Sequence, residues 1–380
     1  MMQAPENKTD IVIIGAGLAG LSSALLLAEA GKTVRVVEAR AKPGGRIRSV
    51  FDKDSGHYIA DLGPTWIWPA YQPTVARWLQ KLGLETYSQF ETGNAVLDHG
   101  PGHEPEIRFL PGQDGSFRPV GGSQALIDRL VARLPGSVIL TGNRVQSVSS
   151  TPDRLGIGIA GDKPSYMACE TLIVAVPPRI ALHTIQWDPA LPPDLARALG
   201  MTPTWMAPHA KTVVLYDRPF WRDTGLSGRI ASRAGPIVEA HDHCGPDGSP
   251  AALFGFIGWP HDARAEAGPD LESQIRAQLR RCFGADSPEP KSIVIEDWAA
   301  DPLVTSPGDL TGPMSHPQTG PGVLRQPHGQ DRIWFAGSET ARQSPGLIEG
   351  AFDAAEQVVS RLLSLNRVGE DRFTGRSTPS

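Results

Sequence analysis

The sequence predicts an α/β protein of two domains: a dinucleotide-binding domain that is discontinuous along the chain, and a mixed-sheet α+β domain that fills its gaps. Three observations carry this. Asp10 to Glu38 reads strand, glycine turn, helix, strand and acid in close register. A second strand and glycine turn, leading into a helix, recur near the C-terminus from Asp331 to Ala355. Between them, strand-like runs at Thr212–Tyr216, Ala252–Ile257 and Ser292–Ile295 surround one amphipathic helix, Asp270–Cys282.

The first stretch is the most informative. Ile11 to Ile14 is a continuous apolar run, as expected of a strand buried on both faces. It enters Gly15, Gly17 and Gly20 at GxGxxG spacing, and an Ala- and Leu-rich helix follows and ends near Gly31. Gly15 suits a tight turn, Gly17 leaves bare backbone for a pyrophosphate, and Gly20 allows close packing of helix on strand. The helix N-terminus offers N–H groups to phosphate. The second strand, Val34–Val37, stops at Glu38, placed to accept hydrogen bonds from a ribose diol.

Composition narrows the class. A chain of 380 residues, 40% hydrophobic and 20% charged, has enough apolar residue for about two globular cores. A net charge of −5 gives no basic footprint for nucleic acid. Cys169, Cys244 and Cys282 are scattered, which suits a reducing compartment and no metal or disulfide framework. The N-terminal MMQAPENKTD is polar and unlike a signal peptide, and no apolar run is long enough to span a membrane. A cytoplasmic location is expected.

Further along, Pro43-Gly44-Gly45 is a loop, and Arg46 beside it places positive charge close after Glu38. Val75, Trp78, Leu79 and Leu82 share a helix face that ends at Gly83. Glu85 to Arg118 is turn-rich, and Pro101 and Gly102 keep His99 and His103 off any common helix. Ser123 is a suitable N-cap for the helix that follows. Val138–Leu140, Gly142–Val148, Leu155–Ile159 and Tyr166–Val176 read as strands, the last stopped by Pro177-Pro178. On the middle helix, Leu271, Ile275, Gln278, Leu279 and Cys282 share one face. From Leu365 onward the chain lacks periodicity and is expected to be a loose tail over 365–380.

GxGxxG, then Glu38, then Gly44-Gly45-Arg46-Ile47-Arg48-Ser49 resembles the flavin-dependent amine oxidase superfamily. So does Asp61-Leu62-Gly63-Pro64-Thr65-Trp66-Ile67-Trp68-Pro69, similar to a loop that runs past the isoalloxazine ring. Pro208 to Tyr216, with Pro219-Phe220-Trp221 and Gly225 to Gly228, resembles the stretch carrying the family lysine, and Lys211 is the matching residue. Phe335-Ala336-Gly337-Ser338-Glu339-Thr340 followed by Gly346-Leu347-Ile348-Glu349-Gly350-Ala351 resembles the family's C-terminal signature.

The resemblance implies a discontinuous FAD-binding Rossmann-like domain over 1–76, 120–178 and 323–364, and a substrate domain over 77–119 and 179–322. It implies that Gly15, Gly17, Gly20, Glu38, Gly45, Arg46, Glu339, Gly346, Leu347 and Ile348 hold FAD, with Pro64, Thr65, Trp66 and Trp298 near the flavin and Val145 lending backbone to adenine. An ordinary strand valine and a core tryptophan would read the same way. Lys211 would hold a water beside flavin N5. A lysine opening an apolar strand is either solvent-facing or held by a partner, and the motif around it favours the second.

Where the family carries a tyrosine this chain has Leu347, and Pro307 to Pro317 contains neither a tyrosine nor the cysteine that bonds the flavin covalently. FAD is therefore expected to be non-covalent. His316 in that stretch reads as a turn histidine, and Trp205, Met206 and Trp259 are candidate cavity residues. Trp78 to Gly121 spans 43 positions where relatives insert a longer helical roof, which implies a shallower, more open site unless a partner subunit, as in a homodimer, covers it. The implied reaction is oxidation of an amine to an imine and then an aldehyde by hydride transfer to flavin, with O2 reoxidising it to H2O2. Two alternatives stay open: a same-fold desaturase or dehydrogenase of the phytoene or protoporphyrinogen type, and a non-catalytic flavin-binding partner subunit.

Overall fold

The computed structural model describes residues 8–374 apart from 113–114, 162–163, 312–315 and 317–318. These fall into two compact units, one within Met1–Gly45, Ile127–Trp205 and Ser315–Ser380, the other within Arg46–Leu126 and Met206–Met314.

The first unit is built on an eight-stranded sheet. Its order is Gln186–Asp188, Arg144–Ser150, Leu155–Ala160, Ser165–Val174, Lys8–Ile14, Val34–Val37 and Ile139–Leu140, with Ile333–Phe335 beside the end of Ser165–Val174. Lys8–Ile14 pairs in parallel on both sides, Ile14 facing Val37 and Val174. That explains its unbroken apolar run: Val12 and Ile13 are fully buried. The helix Leu18–Glu29 follows, and its buried serines are satisfied locally, Ser22 and Ser23 donating to the carbonyls of Leu18 and Ala19. Val12, Val37, Leu172 and Val174 share one core with Leu195, Ala198 and Leu199.

The second unit carries a seven-stranded sheet in the order Ser292–Asp297, Ala210–Tyr216, Ala251–Ile257, Ile237–Asp242, Leu226–Ser232, Asn94–Asp98 and Glu106–Arg108. The helix Asp270–Phe283 packs on it through Leu271, Ile275, Leu279 and Cys282, the face expected from the sequence. Gln278 on that face is buried because its amide both donates to and accepts from the backbone of Ile237. A hairpin, Ser49–Phe51 and Tyr58–Asp61, places Ile59, Ala60 and Leu62 against Val213, Ala252 and Phe254.

Several expectations change. Glu85 to Arg118 contains the strands Thr86–Ser88, Asn94–Asp98, Glu106–Arg108 and Phe117–Pro119, so the segment in the roof position is extended, two of its strands joining the large sheet. Residues 46–76 lie in the second unit, because the Tyr58–Asp61 hairpin buries its apolar face on that unit's sheet. Pro178 opens a helix, Pro178–Thr184, which with Pro193–Met201 packs into the first unit's core through Ala181 and Leu195, so 179–205 belongs there. The tail is corrected too: the helix Ile348–Thr374 continues through 365–374, since elongation of a formed helix adds a hydrogen bond per residue, while 375–380 lie outside the described residues. Among the described residues no helix is long and apolar enough to cross a membrane.

Candidate active site

In the first unit the backbone turns at Gly15, whose φ of +98° is open to glycine and whose N–H donates to the Val37 carbonyl at 2.8 Å. A Cβ on Gly20 would stand 2.0 Å from the Gly15 carbonyl oxygen, so only glycine lets the helix begin this close to the strand. Gly17 bridges to Gly44, and a Cβ on Gly45 would lie 3.1 Å from the Gly17 Cα. The bareness of Gly17 therefore also admits the Pro43–Gly45 loop, a role not visible in the GxGxxG spacing.

Glu38 is buried behind this turn. One carboxylate oxygen accepts from the Ala16 N–H at 2.7 Å and the other from the Arg40 N–H at 2.8 Å. Each oxygen keeps a second lone pair, so the acid braces the glycine turn and can still accept from a diol. Val145 points its side chain into the core, and its strand bulges between Val145 and Ser147, interrupting the backbone ladder. The glycine cradle, the helix N-terminus and the adjacent buried acid fit the pyrophosphate and ribose of a dinucleotide.

The C-terminal signature lies in the same unit. Ile333–Phe335 pairs with Leu172–Val174, and the chain then enters a short turn holding Glu339, buried at 2% exposure. Its carboxylate accepts from the Ser338 hydroxyl at 3.2 Å. Gly346 has φ +80°, and a Cβ there would meet the Trp205 Cβ at 2.6 Å. Leu347 follows half-buried, and Ile348 opens the long helix. Trp205 also packs edge-on against His316, ring centroids 5.0 Å apart. Of the Pro307–Pro317 stretch, residues 312–315 and 317 lie outside the described residues.

The second unit holds the lysine. Lys211 opens the strand Ala210–Tyr216 and is buried at 6% exposure, which excludes the solvent-facing reading. Its ammonium donates to the Gly63 carbonyl at 2.6 Å and lies 5.6 Å from the ring centroids of Phe254 and Phe256. Burial pushes its pKa down to about 8, with Asp61 pulling the other way.

The loop that accepts this lysine also holds Trp298, whose indole N–H donates to the Leu62 carbonyl at 3.1 Å, with the Arg48 guanidinium 5.2 Å from its ring. Successive carbonyls of Leu62 and Gly63 thus fix two residues that the sequence nominates. Gly63 is compelled by sterics: a Cβ there would lie 2.3 Å from the carbonyl oxygen of Arg46. Pro64 accepts from the Ser123 hydroxyl, so that serine ties the loop in addition to preceding its helix. Thr65 is buried beside Asp61 and His243. Trp66 donates to Gln89 at 2.8 Å and meets His241 edge-on at 4.8 Å. Met206 sits at φ +64°, and Trp259 is half-buried.

Sequence patterns do not reveal the polar base of this loop. Asp61, fully buried, accepts from Ser49, Tyr58, Thr65 and the Ser123 N–H, while its own N–H donates to His243. The one signal is an acid ending an apolar strand, Tyr58–Asp61; nothing near His243 in the chain marks it.

A family model described as flavin containing amine oxidoreductase matches residues 18–106 and 90–363. The chain is 26% identical to the flavin-containing amine oxidase B of Homo sapiens, over 97% of this chain and 89% of that protein. It is 24% identical to a probable flavin-containing monoamine oxidase A of Dictyostelium discoideum, over 92% and 96% of the two chains. Among solved structures, putrescine oxidase bound to putrescine superposes with a TM-score of 0.76 at 19% identity, covering 95% of this chain and 100% of that one. Cyclohexylamine oxidase from Brevibacterium oxydans does so with 0.78 at 19% identity, covering 94% and 99%.

Proposed function

Because this chain belongs to the flavin-containing amine oxidoreductase family, we propose that it oxidises a primary or secondary amine to the imine, which water converts to the aldehyde. The observation that carries this reading is the buried Lys211 held on the Gly63 carbonyl. FAD, when bound, supplies the hydride acceptor at N5 and passes the electrons to O2, giving H2O2.

Gly15, Gly17, Gly20 and Gly45 supply the backbone cradle for the pyrophosphate, with Arg46 as its cation, Glu38 holding a ribose and Val145 offering backbone to adenine. Glu339 serves the ribityl and phosphate region. The Gly346 and Leu347 N–H groups close the turn onto the Ser338 and Ser344 carbonyls, and Ile348 then starts the long helix, whose positive end serves the negative charge the cofactor gains on reduction. Pro64, Thr65, Trp66 and Trp298 shape the flavin's surroundings. Lys211 holds a water for the oxygen half-reaction. Attachment is non-covalent: Cys169, Cys244 and Cys282 are all packed in apolar cores.

The amine reacts as its neutral form, and Leu347 meets it with an aliphatic wall where relatives present a ring. The alignment to the human relative runs over 478 positions for a chain of 380 residues, so this chain omits about a hundred positions of that relative; with part of them missing from the roof, the site would accept bulky amines. The test is anaerobic mixing of the yellow protein with an amine panel, followed by air. Flavin bleaching and then peroxide is the expected result. Bleaching without peroxide would indicate a dehydrogenase, and no bleaching by any amine would sink the reading.

A further inference from the structure

Lys211 is an ammonium buried within the second unit, and such a charge persists only where other groups hold it in place and balance it. The buried carboxylate whose field reaches it is Asp61. Asp61 begins the same loop that carries the Gly63 carbonyl, two residues away. Its oxygens accept from Ser49 at 2.5 Å, Tyr58 at 3.1 Å, the Ser123 N–H at 3.2 Å and Thr65 at 3.4 Å. All four are neutral donors, drawn from the Ser49–Phe51 strand, the Tyr58–Asp61 strand, the loop and the start of the Gln124–Arg133 helix.

His243 completes the clasp. The Asp61 N–H donates to its Nε2 at 3.1 Å, so Nε2 is the unprotonated nitrogen and the ring is neutral, as burial also dictates by pushing its pKa well down. That tautomer leaves Nδ1–H facing Thr65 Oγ1 at 3.4 Å, and the Thr65 hydroxyl in turn donates to Asp61. Arg118 is the other cation. It is 1% exposed, donates to the Cys244 carbonyl at 2.6 Å, lies over the Tyr87 ring, and its Nε and Nη1 have no hydrogen-bond partner among the described residues. Its field acts on Asp61 and His243. Two buried cations, Lys211 and Arg118, thus share one buried carboxylate that touches neither through a short ion pair.

We propose that Asp61 is the positioning residue of Lys211: with His243 it locks the Leu62–Thr65 loop so that the Gly63 carbonyl aims the ammonium and the Leu62 carbonyl aims Trp298. Its negative charge also keeps the lysine protonated near neutral pH. The buried Asp61 carboxyl is itself pushed up to about 6, and Lys211 down to about 8, so both charges coexist between those values. Below that window Asp61 gains a proton and the loop loses its anionic anchor. Above it Lys211 becomes a neutral amine. The catalytic consequence rests on the role proposed for Lys211, but the positioning is read on the lysine itself.

The test uses holoenzyme labelled with [ε-13C]lysine, the Lys211 resonance being assigned by its loss in Lys211→Met. In the native protein its titration midpoint is expected near 8, and in Asp61→Asn at lower pH. Should Asp61→Asn not fold, the double variant Ser49→Ala, Tyr58→Phe removes two donors, raises the pH at which Asp61 protonates, and is expected to lower the Lys211 midpoint as well. A folded Asp61→Asn, or failing that the double variant, with the native midpoint would overturn the proposal. If Asp61→Asn moves the lysine while Lys211→Met leaves flavin reoxidation unchanged, the positioning stands and the oxidase role of Lys211 falls.

Discussion

Arg264 clasps Asp297 with both arms of its guanidinium, Nε to Oδ2 at 2.9 Å and Nη2 to Oδ1 at 2.6 Å. The same group donates to the carbonyls of Trp259 and Pro208. It therefore ties the residue before Trp298 to the segment entering the Lys211 strand. Lysine cannot reproduce this fork. Arg264→Lys should lose about 2–3 kcal/mol of stability, below the full cost of a broken buried pair because Asp297 is partly exposed. Urea unfolding followed by tryptophan fluorescence would show it, and an unchanged midpoint would contradict the clasp.

The contact of Gly20 with the Gly15 carbonyl leads to a second expectation. Gly20→Ala must push helix from strand, since 2.0 Å is far inside contact distance. The variant should lose most of its bound flavin and several degrees of Tm. Gly136→Ala, where nothing lies within 4 Å of the added carbon, is the control and should keep both. Equal flavin content in the two variants would argue against the cradle.

For the oxygen half-reaction, Lys211→Met is expected to slow flavin reoxidation by about tenfold or more while changing flavin reduction far less. In the native protein the oxygen rate should change as pH rises through about 8, where Lys211 loses its proton, and this inflection should vanish in the variant. Stopped-flow reoxidation rates equal to native would remove Lys211 from this step.

The same variant tests the energetics of burial. Lys211 has its ordinary value of 10.5 in the unfolded chain and about 8 in the fold, so the folded state binds its proton less tightly. The resulting cost is fully present below pH 8 and fades as pH rises from 8 to 10.5. At about 1.4 kcal/mol per pKa unit it is roughly 3 kcal/mol. Leaving the Gly63 carbonyl without its donor takes back ~1–2 kcal/mol. Lys211→Met should therefore be more stable than native by about 1–2 kcal/mol at pH 7, an advantage that shrinks by pH 10. A lower Tm at pH 7 would mean that the lysine is held for stability rather than chemistry.

Periodic and punctuated segments are legible in the amino-acid sequence. The face Leu271–Cys282 and the helix stop at Gly83 follow from spacing and from the left-handed residue a helix end prefers. The strands Leu226–Ser232 and Ile237–Asp242 are not, because LSGRIAS and IVEAHD mix small and charged residues that only a central sheet position makes buried. At the site, the glycines and Lys211 are legible as motif. The clasp on Asp61 is not, since its partners stand at 49, 58, 65, 123 and 243 and meet only when the hairpin lies on the sheet. Glu38 is legible as an acid in the right place, but its two backbone bonds depend on how the Gly15 turn closes.

The proposed oxidase reaction would make this protein the first to meet its peroxide. Sulfur is attacked as thiolate, and in this chain the thiols of Cys169, Cys244 and Cys282 are each pushed up to about 12 by burial. At neutral pH that leaves on the order of one thiolate in 10⁵. The native protein should be silent to Ellman's reagent and retain three thiols, as counted after unfolding, through thousands of turnovers. Sulfenic acid trapped by dimedone during turnover would show the opposite. With its sulfur inside apolar cores, the chain would tolerate peroxide, the product proposed for it, with no scavenger required.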